Sequence, residues 1–560
     1  MSFQTGIRVV PPPGPEVSGP ARLRAWLTHL ASAPNAVWVR ELKQAARLTR
    51  TPFILLAVTL LATLLIATIG ALMIGFSFGG SIGVALFHTF FSLSFFVVTL
   101  AGTAVAANSI ASEREGRTWE ALLLTGLPST AIARGKFWAA YTSVALYIVM
   151  MAPIGAVPFL FGGVTAIETL IAFALLFVLA GLSVSFGLAV SSKMESLRGA
   201  ILVTLAVAVV ASPNLFLALA FGGATAAHAL WPLVPEGWPI WMPAAYTRAP
   251  FDLRYVSLLL VAPALVVGLI AWFLHEATVA NLTSVTDDRS TGLRRWFVVT
   301  GALGAVSTAV ATAGVPRDHL VPAMGGLSAF FVLLTFGAFV FAGEPIGPSR
   351  RVLRGWSEKR VGPVGRALGP GVMRAAWAQL VTGLGGAGLI AVVAAVALTL
   401  RREPRHVLVV LVFAFYGVCF HVFVVGFGAW LRARTGTAMT ARLVLLVGLF
   451  LASVGPWILA ALGGAIGRGT ALRNTLIAAP SPFYVLSVTE EIINPRHDPT
   501  SIVVVCAVAA CAWALLGAGL LGSAALRCRR IIRDHERALA EGDAFLRAED
   551  EGRSAPAVAS

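Results

Sequence analysis

The sequence has 560 residues, of which 58% are hydrophobic and only 12% are charged, and its mean hydropathy is +0.84. Soluble domains carry about 25% charged residues, so this composition excludes a soluble protein. A net charge of +16 could indicate nucleic-acid binding, but cations between membrane spans more often fix the topology. We therefore predict an all-α polytopic membrane protein that has no nucleic-acid partner.

About twelve apolar runs are long enough to cross hydrocarbon roughly 30 Å thick, which takes about 20 residues of helix. Six of them precede the polar stretch 277–295, which we predict to be a cytoplasmic linker, and six follow it. We therefore expect two six-helix bundles, at 51–276 and 296–526. The predicted spans are 53–76, 84–107, 137–161, 169–191, 200–222, 255–274, 296–314, 321–343, 377–400, 407–431, 443–467 and 502–525.

The N-terminal region has two predicted parts, a flexible cytoplasmic tail at 1–34 and an amphipathic interface helix at 35–50. Basic residues in the second part recur at spacings of three and four, which places them on one helix face. Such a helix would lie along the inner membrane surface, with its cations near anionic lipid headgroups. A merely solvated helix is the alternative. The residues assigned to the interface helix are Arg40, Glu41, Lys43 and Arg47.

The loop 111–136 between the second and third predicted spans is unusually polar, and its pattern predicts two short helices joined by an elbow. Ser112 and Glu115 have the spacing of a capping box, in which the two side chains satisfy each other's backbone donors at a helix start. Gly126 can take the left-handed conformation that ends a helix, and Ser129 can cap the next one. The loop is therefore predicted to be a structured protrusion.

The second half carries a cytoplasmic loop, 344–376, with seven Lys or Arg against two Glu. Four prolines interrupt this loop, so we expect that it cannot form the same capped helix pair. The segment 527–560 is predicted to be a charged cytoplasmic tail. The positive charges favour cytoplasmic termini in a bacterial inner membrane, but they place the basic connection at 401–405 outside. Either the spans around it are miscounted or this connection is basic for another reason.

No catalytic motif is present in the sequence. A phosphate-binding loop would need Gly and then Ser or Thr around Gly135 and Lys136, where the residues are Thr130 and Phe137. We therefore expect no nucleotide, metal or other cofactor on the chain itself, and no enzymatic activity. His88 and His421 are the clear ionisable residues inside predicted spans, and they are either candidate pathway residues or neutral packing residues.

The inner loop of the first half resembles the coupling region of permeases from ABC exporters of type 2. An amphipathic helix before the first of six spans is also similar, and the resemblance covers about residues 35 to 275. In the second half it rests on the span count and on the segment 480–487. The residues that carry the resemblance are Glu113, Arg114, Glu115, Gly116, Thr118, Glu120, Leu122, Leu123, Gly126, Pro128, Ser129, Gly135 and Lys136.

The resemblance implies a coupling helix that docks on a separate cytoplasmic ATP-binding subunit, which would bind ATP and magnesium. Two six-span bundles form one transporter in that family, so this chain would supply both, unless a second copy takes part as a dimer. Apolar bundle interiors suit a lipid-like or amphipathic cargo. The residues that the resemblance assigns to ATPase coupling are Glu113, Arg114, Glu115, Gly116, Thr118, Trp119, Glu120 and Leu122.

A secondary transporter of the major facilitator type, driven by an ion gradient, is the alternative. That family also has six plus six spans, and its loop after the second span carries an acidic-Arg-x-Gly-Arg signature that the segment 113–117 matches. Its loop is short, however, whereas about 29 residues separate the two predicted spans here. We therefore favour the ABC exporter.

Overall fold

The computed structural model describes residues 35–46, 60, 63–64, 68, 82–234, 251–315, 319–466, 476–494 and 498–554. Helices take up 86% of these residues, and no strand occurs in the described ranges. An apolar run in hydrocarbon has no water to satisfy its backbone groups, so it must satisfy them internally, which a helix does. The predicted all-α class is confirmed.

Short and long helices alternate along the chain. In chain order they are α1 (Ala36–Ala46), α2 (Ile82–Glu115), α3 (Trp119–Leu124), α4 (Ser129–Gly155), α5 (Val157–Leu160), α6 (Ala166–Ser191), α7 (Leu197–Leu217), α8 (Gly223–Leu230), α9 (Leu253–Val256), α10 (Ala262–Leu282), α11 (Thr291–Gly314), α12 (Leu320–Phe341), α13 (Arg350–Glu358), α14 (Pro363–Ala367), α15 (Val372–Leu400), α16 (Pro404–Arg434), α17 (Ala438–Ile466), α18 (Pro482–Ser487), α19 (Thr489–Ile493) and α20 (Thr500–Ser554). Short π-helical segments follow α7 and join α9 to α10.

Eleven helices among the described residues are long and apolar enough to cross a membrane, so the chain is a polytopic membrane protein. Each of the last eleven predicted spans overlaps one of these helices. The first predicted span, 53–76, lies largely outside the described residues. A total of twelve spans in two bundles therefore stays a prediction.

Successive long helices run in opposite directions, so their connections collect at two ends of the molecule. One end, called the α1 end below, carries α1 and the connections 116–128, 192–196, 283–290, 342–371 and 435–437. Loops of the two halves meet there, because the Ser349 hydroxyl donates to the Thr286 carbonyl oxygen over 2.5 Å. Most of the basic loop residues of the sequence also lie at this end.

The predicted bounds of the linker are wrong. The linker 277–295 is reduced to 283–290, because α10 continues to Leu282 and α11 begins at Thr291. The Asn281 amide donates to the Ser192 hydroxyl over 2.8 Å, which holds the end of α10 in helical form against the neighbouring loop. The segment predicted to be a charged cytoplasmic tail, 527–560, is helical as far as Ser554, because α20 continues into it as one helix.

The basic connection at the opposite end is a tight turn between α15 and α16, and both helices lie where the sequence predicts spans. The spans are therefore not miscounted. The Arg405 guanidinium donates to the carbonyl oxygen of Asn494, just beyond the C-terminal end of α19. A cation is favourable beside the free carbonyls of a helix end, so this arginine has a structural role there.

Aromatic side chains join the two halves between α10 and α11. The Trp296 indole donates to the Leu269 carbonyl oxygen over 2.8 Å. The ring centroid of Phe273 lies 4.7 Å from that of Trp296 and 5.1 Å from that of Phe336. Such ring pairs add to the burial of apolar area, so the halves are packed directly on each other.

Candidate functional site

The predicted capping box of Ser112 and Glu115 is wrong, because both residues lie in the last turn of α2. Helix α2 continues without a break to Glu115, and the Ser112 hydroxyl donates to the Asn108 carbonyl oxygen over 2.5 Å inside its last turn. The Glu115 carboxylate instead accepts a hydrogen bond from the Leu197 backbone nitrogen over 2.7 Å, at the start of α7. Because the carbonyls of the preceding turn already satisfy the backbone donors around Ser112, there is nothing for a capping box to satisfy.

The predicted turn at Gly126 is present, but α3 is the only short helix in the described range 111–136, because α2 and α4 are both long. The segment 116–128, which contains α3, is called the elbow below. Arg117 has a φ of +55° at its start, and the Gly126 φ of +71° ends α3 in the predicted left-handed conformation. Pro128 rather than Ser129 occupies the cap position of α4, and no side chain caps it. The elbow therefore depends on backbone turns and on contacts to other helices, and its predicted caps are absent.

A cluster of four charges fixes the base of the elbow, and Lys136 in the second turn of α4 is its centre. The Lys136 ammonium is fully buried, 3.1 Å from Glu113 and 3.2 Å from Glu41, and it donates to the Ser109 carbonyl oxygen over 2.9 Å. Arg40 contacts both carboxylates. This charge cluster (Arg40, Glu41, Glu113 and Lys136) joins α1, α2 and α4 with no net charge.

Helix α1 is packed on α4 beside the charge cluster. The Asn35 side-chain oxygen accepts from the Val37 backbone nitrogen over 2.9 Å and so caps the start of α1, and its amide donates to the Ala131 carbonyl oxygen over 2.8 Å. A Cβ on Gly135 would lie 2.6 Å from the Asn35 oxygen, so only glycine allows this close approach. Lys43 is exposed, and Arg47 lies outside the described residues.

The prediction that α1 directs its cations toward lipid is wrong for Arg40. Its guanidinium contacts the carboxylates of Glu41 and Glu113 instead. A carboxylate within hydrogen-bonding distance outcompetes a mobile headgroup, because the pair is already held in place by the packing of α1 on α4. The interface helix is therefore an integral part of the α1 end.

The remaining residues assigned to coupling divide into an inner and an outer set. Arg114 donates to the Met194 carbonyl oxygen over 3.3 Å and lies 5.5 Å from the ring centroid of Trp119, which is half-buried. Leu122 is buried in the core of the first half. The outer set, which is exposed to solvent, consists of Gly116, Thr118 and Glu120. Arg117 and Leu124, which were not assigned to coupling, are also exposed.

Two features of this site were missed by sequence reasoning. Lys136 was considered as part of a phosphate-binding loop and of the family resemblance, but not as a partner of Glu41 and Glu113, which lie far from it in the sequence. Leu124 has a side chain that is 88% exposed at the end of α3. An apolar residue at the last position of a short loop helix, where the chain turns back, could have indicated a contact for another molecule.

The second half contains its own buried ion pair at the α1 end. The Arg294 guanidinium lies 2.9 Å from the Glu344 carboxylate, and both side chains are buried. The Ser290 hydroxyl donates to the same carboxylate over 2.7 Å, and Arg294 also donates to the Gly371 carbonyl oxygen over 2.9 Å. This pair therefore fixes the start of α11 against both ends of the loop 342–371.

The second inner loop forms two short helices despite its four prolines, although only the first of them has a side-chain cap. Helix α13 begins after Ser349, whose hydroxyl oxygen accepts from the Val352 backbone nitrogen over 3.2 Å, and α14 follows after a short turn. Pro348 precedes the cap, and Pro363 is the first residue of α14, where a missing N–H group costs nothing. The positions of the prolines, rather than their number, decide the structure.

The two inner loops share one arrangement and differ in charge. In each, an arginine lies over the tryptophan of a short helix, with Arg114 5.5 Å from Trp119 and Arg374 4.9 Å from Trp356. Helix α13 exposes Arg350, Arg351 and Arg354, of which Arg350 pairs with Asp543 over 3.0 Å and Arg351 with Asp287 over 3.1 Å. The exposed residues of the elbow have charges of both signs. The two loops therefore offer unequal surfaces at the α1 end.

The two candidate pathway histidines lie in different halves. His88 is near the start of α2, beside Phe87, at the end opposite to α1. His421 is buried in α16, and its Nε2 atom lies 3.3 Å from the Gln379 carbonyl oxygen. A Cβ on Gly383 would lie 2.6 Å from the His421 ring, so this histidine fills a close helix contact. The structure does not bring the two residues together.

Acidification is expected to release α1 from α4. Burial alone would raise the pKa of Glu41, but the Lys136 charge and hydrogen bonds from Arg40 and Lys136 outweigh it and lower the pKa below the usual 4.5. The stabilisation is therefore complete above pH 4.5 and is lost as the pH falls through the lowered pKa. Nitroxide mobility at Lys43→Cys, in a chain lacking the native cysteines, should rise over that range. An identical pH response in Glu41→Gln would contradict this role of Glu41.

The geometry at the α1 end thus defines a class of protein, a polytopic helical membrane protein with two structured loops on one side. A comparison of the chain with protein-family models and with curated proteins finds no match.

Proposed function

We propose that the chain is the membrane permease of an ATP-driven ABC exporter, and that the elbow docks on a separate cytoplasmic ATP-binding subunit. The observation that carries this proposal is the form of the elbow. One side is fixed to the chain by the charge cluster around the buried Lys136, and the other presents the exposed side chain of Leu124, one helical turn from Glu120. A fixed element with an exposed apolar tip suits protein docking.

Contacts at the base of the elbow would transmit a push from the partner to several membrane helices. Glu113 joins α2 to α1 and α4 through the charge cluster. Arg114 and Glu115 join the same end of α2 to the connection before α7, through Met194 and Leu197. Close-packed contacts of this kind transmit a displacement of the elbow to the attached helices, because a packed interior does not deform gradually. ATP and magnesium would bind to the partner, and this chain would supply only the contact.

The second inner loop would provide a second, unequal contact. Helix α13 lies at the same end of the molecule as the elbow, but it exposes three arginines, two of which pair with aspartates. One chain would then supply both bundles of a transporter in a bacterial inner membrane. Both termini would be cytoplasmic, since the α1 end has most of the basic loop residues.

A cavity of about 340 Å³ between the halves supports a lipid-like or amphipathic cargo. Helices α2, α6, α7 and α10 form its walls together with Phe336 of α12. The hydroxyls of Thr99 and Ser183 in its lining donate to carbonyl oxygens of their own helices, over 2.9 Å to Phe95 and 3.0 Å to Ala180. The cavity therefore presents an almost entirely apolar surface.

The elbow also argues against a secondary transporter of the major facilitator type. The segment 113–117 ends one helix and is followed by a second one, α3, whereas a short loop would join the spans directly. The acidic Glu113 of the matching signature is held by Lys136 and Arg40.

Replacing Leu124 by aspartate is expected to weaken binding of the ATP-binding subunit by about tenfold or more, because burying a leucine is worth about 1.5–3 kcal/mol. Retention of the tagged ATP-binding subunit by the full chain measures this directly. Leu400→Asp is the matched control, since Leu400 is 81% exposed at the opposite end of the molecule. Equal retention by the two variants would sink the proposal. Glu115→Ala is a poorer test, because Glu115 also accepts a hydrogen bond from the Leu197 backbone nitrogen at the start of α7, so its loss would alter the fold as well as the docking surface.

A further inference from the structure

Two cavities open on either side of Arg374 and Trp377 near the α1 end. The larger, of about 920 Å³, lies between α11, α14 and α15. The smaller, of about 460 Å³, lies between α15, the segment 346–348 and α20. The side chains of Arg374 and Trp377 line both, so they form a partition between two neighbouring spaces.

The chemistry of both cavities changes with depth in the same way. Arg366 and Arg374 lie at the outer end of the larger cavity, and Arg374 and Arg529 at that of the smaller one. The inner walls are apolar, including Val298 and Val381 in the larger cavity. None of the residues that line either cavity is acidic. Each cavity is therefore basic at one end and apolar along its length.

The basic end has the depth of lipid headgroups. Arg374 is in the first turn of α15, and Trp377 and Val381 lie about 4.5 Å and about 10 Å further along the helix axis. Exposed tryptophan favours the interface between headgroups and hydrocarbon, and Trp377 is exposed. Arg374 is held in place, because it lies 4.9 Å from the Trp356 ring centroid and donates to the Pro370 carbonyl oxygen over 3.3 Å.

We propose that Arg366, Arg374 and Arg529 bind the phosphate of an anionic membrane phospholipid, with acyl chains in the two cavities on either side of Trp377. Guanidinium groups bind phosphate oxygens in pairs, and basic pockets between membrane helices suit anionic headgroups. A lipid fits this site better than free phosphate does, because the three arginines lie at the basic ends of two cavities whose remaining walls are apolar. This site does not depend on the proposed function.

The test uses the full chain in detergent with phosphatidylglycerol and phosphatidylcholine of identical acyl chains, and native mass spectrometry counts the retained lipids. Phosphatidylglycerol should be retained in preference. Arg366→Gln and Arg529→Gln should each reduce its retention about fivefold, the effect of one cation near an anionic headgroup. Arg354→Gln, which removes an exposed charge of α13 outside both cavities, should leave retention unchanged.

The chain-binding part of the site has its own test, which does not alter charge. Val381→Trp should fill the larger cavity and lower phosphatidylglycerol retention, whereas Val392→Trp on the same helix should not. Val381 is 68% exposed and Val392 is 62% exposed. Equal retention of the two lipids, an equal loss in Arg354→Gln and Arg366→Gln, or an equal loss in the two tryptophan variants would overturn the proposal. Retention of glycerol 3-phosphate in place of lipid would also overturn it.

Discussion

Replacing Lys136 by alanine is expected to lower the free energy of unfolding by about 2 kcal/mol or more, because it leaves two partly buried carboxylates without their central cation. The Lys136 ammonium is fully buried and lies within 3.2 Å of both Glu41 and Glu113. Its loss also frees the Ser109 carbonyl oxygen, to which it donates. Thermal unfolding of the detergent-solubilised chain measures the effect.

Two further variants make this test specific to the buried charge. Lys193→Ala removes an exposed lysine at the same end of the molecule and should change stability little. Adding Glu113→Gln to Lys136→Ala should restore part of the lost stability, since it removes a carboxylate that has lost its partner. Equal destabilisation by Lys136→Ala and Lys193→Ala would contradict the role assigned to the charge cluster.

Replacing Gly426 by leucine is expected to destabilise the second half by about 3 kcal/mol or more, because α16 and α20 cross at this point with their backbones in contact. A Cβ on Gly426 would overlap the carbonyl oxygen of Gly517. From the other side, a Cβ on Gly517 would lie 2.5 Å from the Cα atom of Phe423. The obstacle is backbone rather than a flexible side chain, so neither helix can relax without moving the other.

This effect is measured by heating the detergent-solubilised protein and determining the fraction that remains monodisperse in size-exclusion chromatography. Gly519→Leu is the matched control on α20, since no atom lies within 4 Å of a Cβ at that position. We expect Gly519→Leu to behave like the unchanged protein and Gly426→Leu to be lost at lower temperature. Similar heat resistance of the two variants would argue against a close crossing of α16 and α20.

The membrane helices could be predicted from the sequence because each needs only a local run of apolar residues. The elbow could be predicted for the same reason, since Gly126 marks a helix end by its own backbone freedom. The capping box could not be judged locally. Whether Ser112 starts or ends a helix depends on whether the chain before it is already helical, and the spacing to Glu115 is the same in both situations.

The charge contacts of the site lay beyond sequence reasoning because they join residues far apart in the chain. Lys136 contacts Glu41 only because α1 packs against Gly135. Arg294, in the first turn of α11, contacts Glu344 in the loop that follows α12. Helix α13 was missed because prolines were counted as breaks regardless of their place. The local pattern therefore predicts the helices, whereas their packing decides which charges are buried together.

Isolation of the tagged chain from its native membranes, with identification of the bound subunits and measurement of ATP hydrolysis, tests the proposed function most directly. We expect a soluble subunit with a phosphate-binding loop to co-purify at a fixed copy number and to hydrolyse ATP. The Leu124→Asp chain should lose this subunit, and the Leu400→Asp chain should keep it. Ion-gradient-driven transport by the purified chain alone, with no bound ATPase, would contradict the proposal.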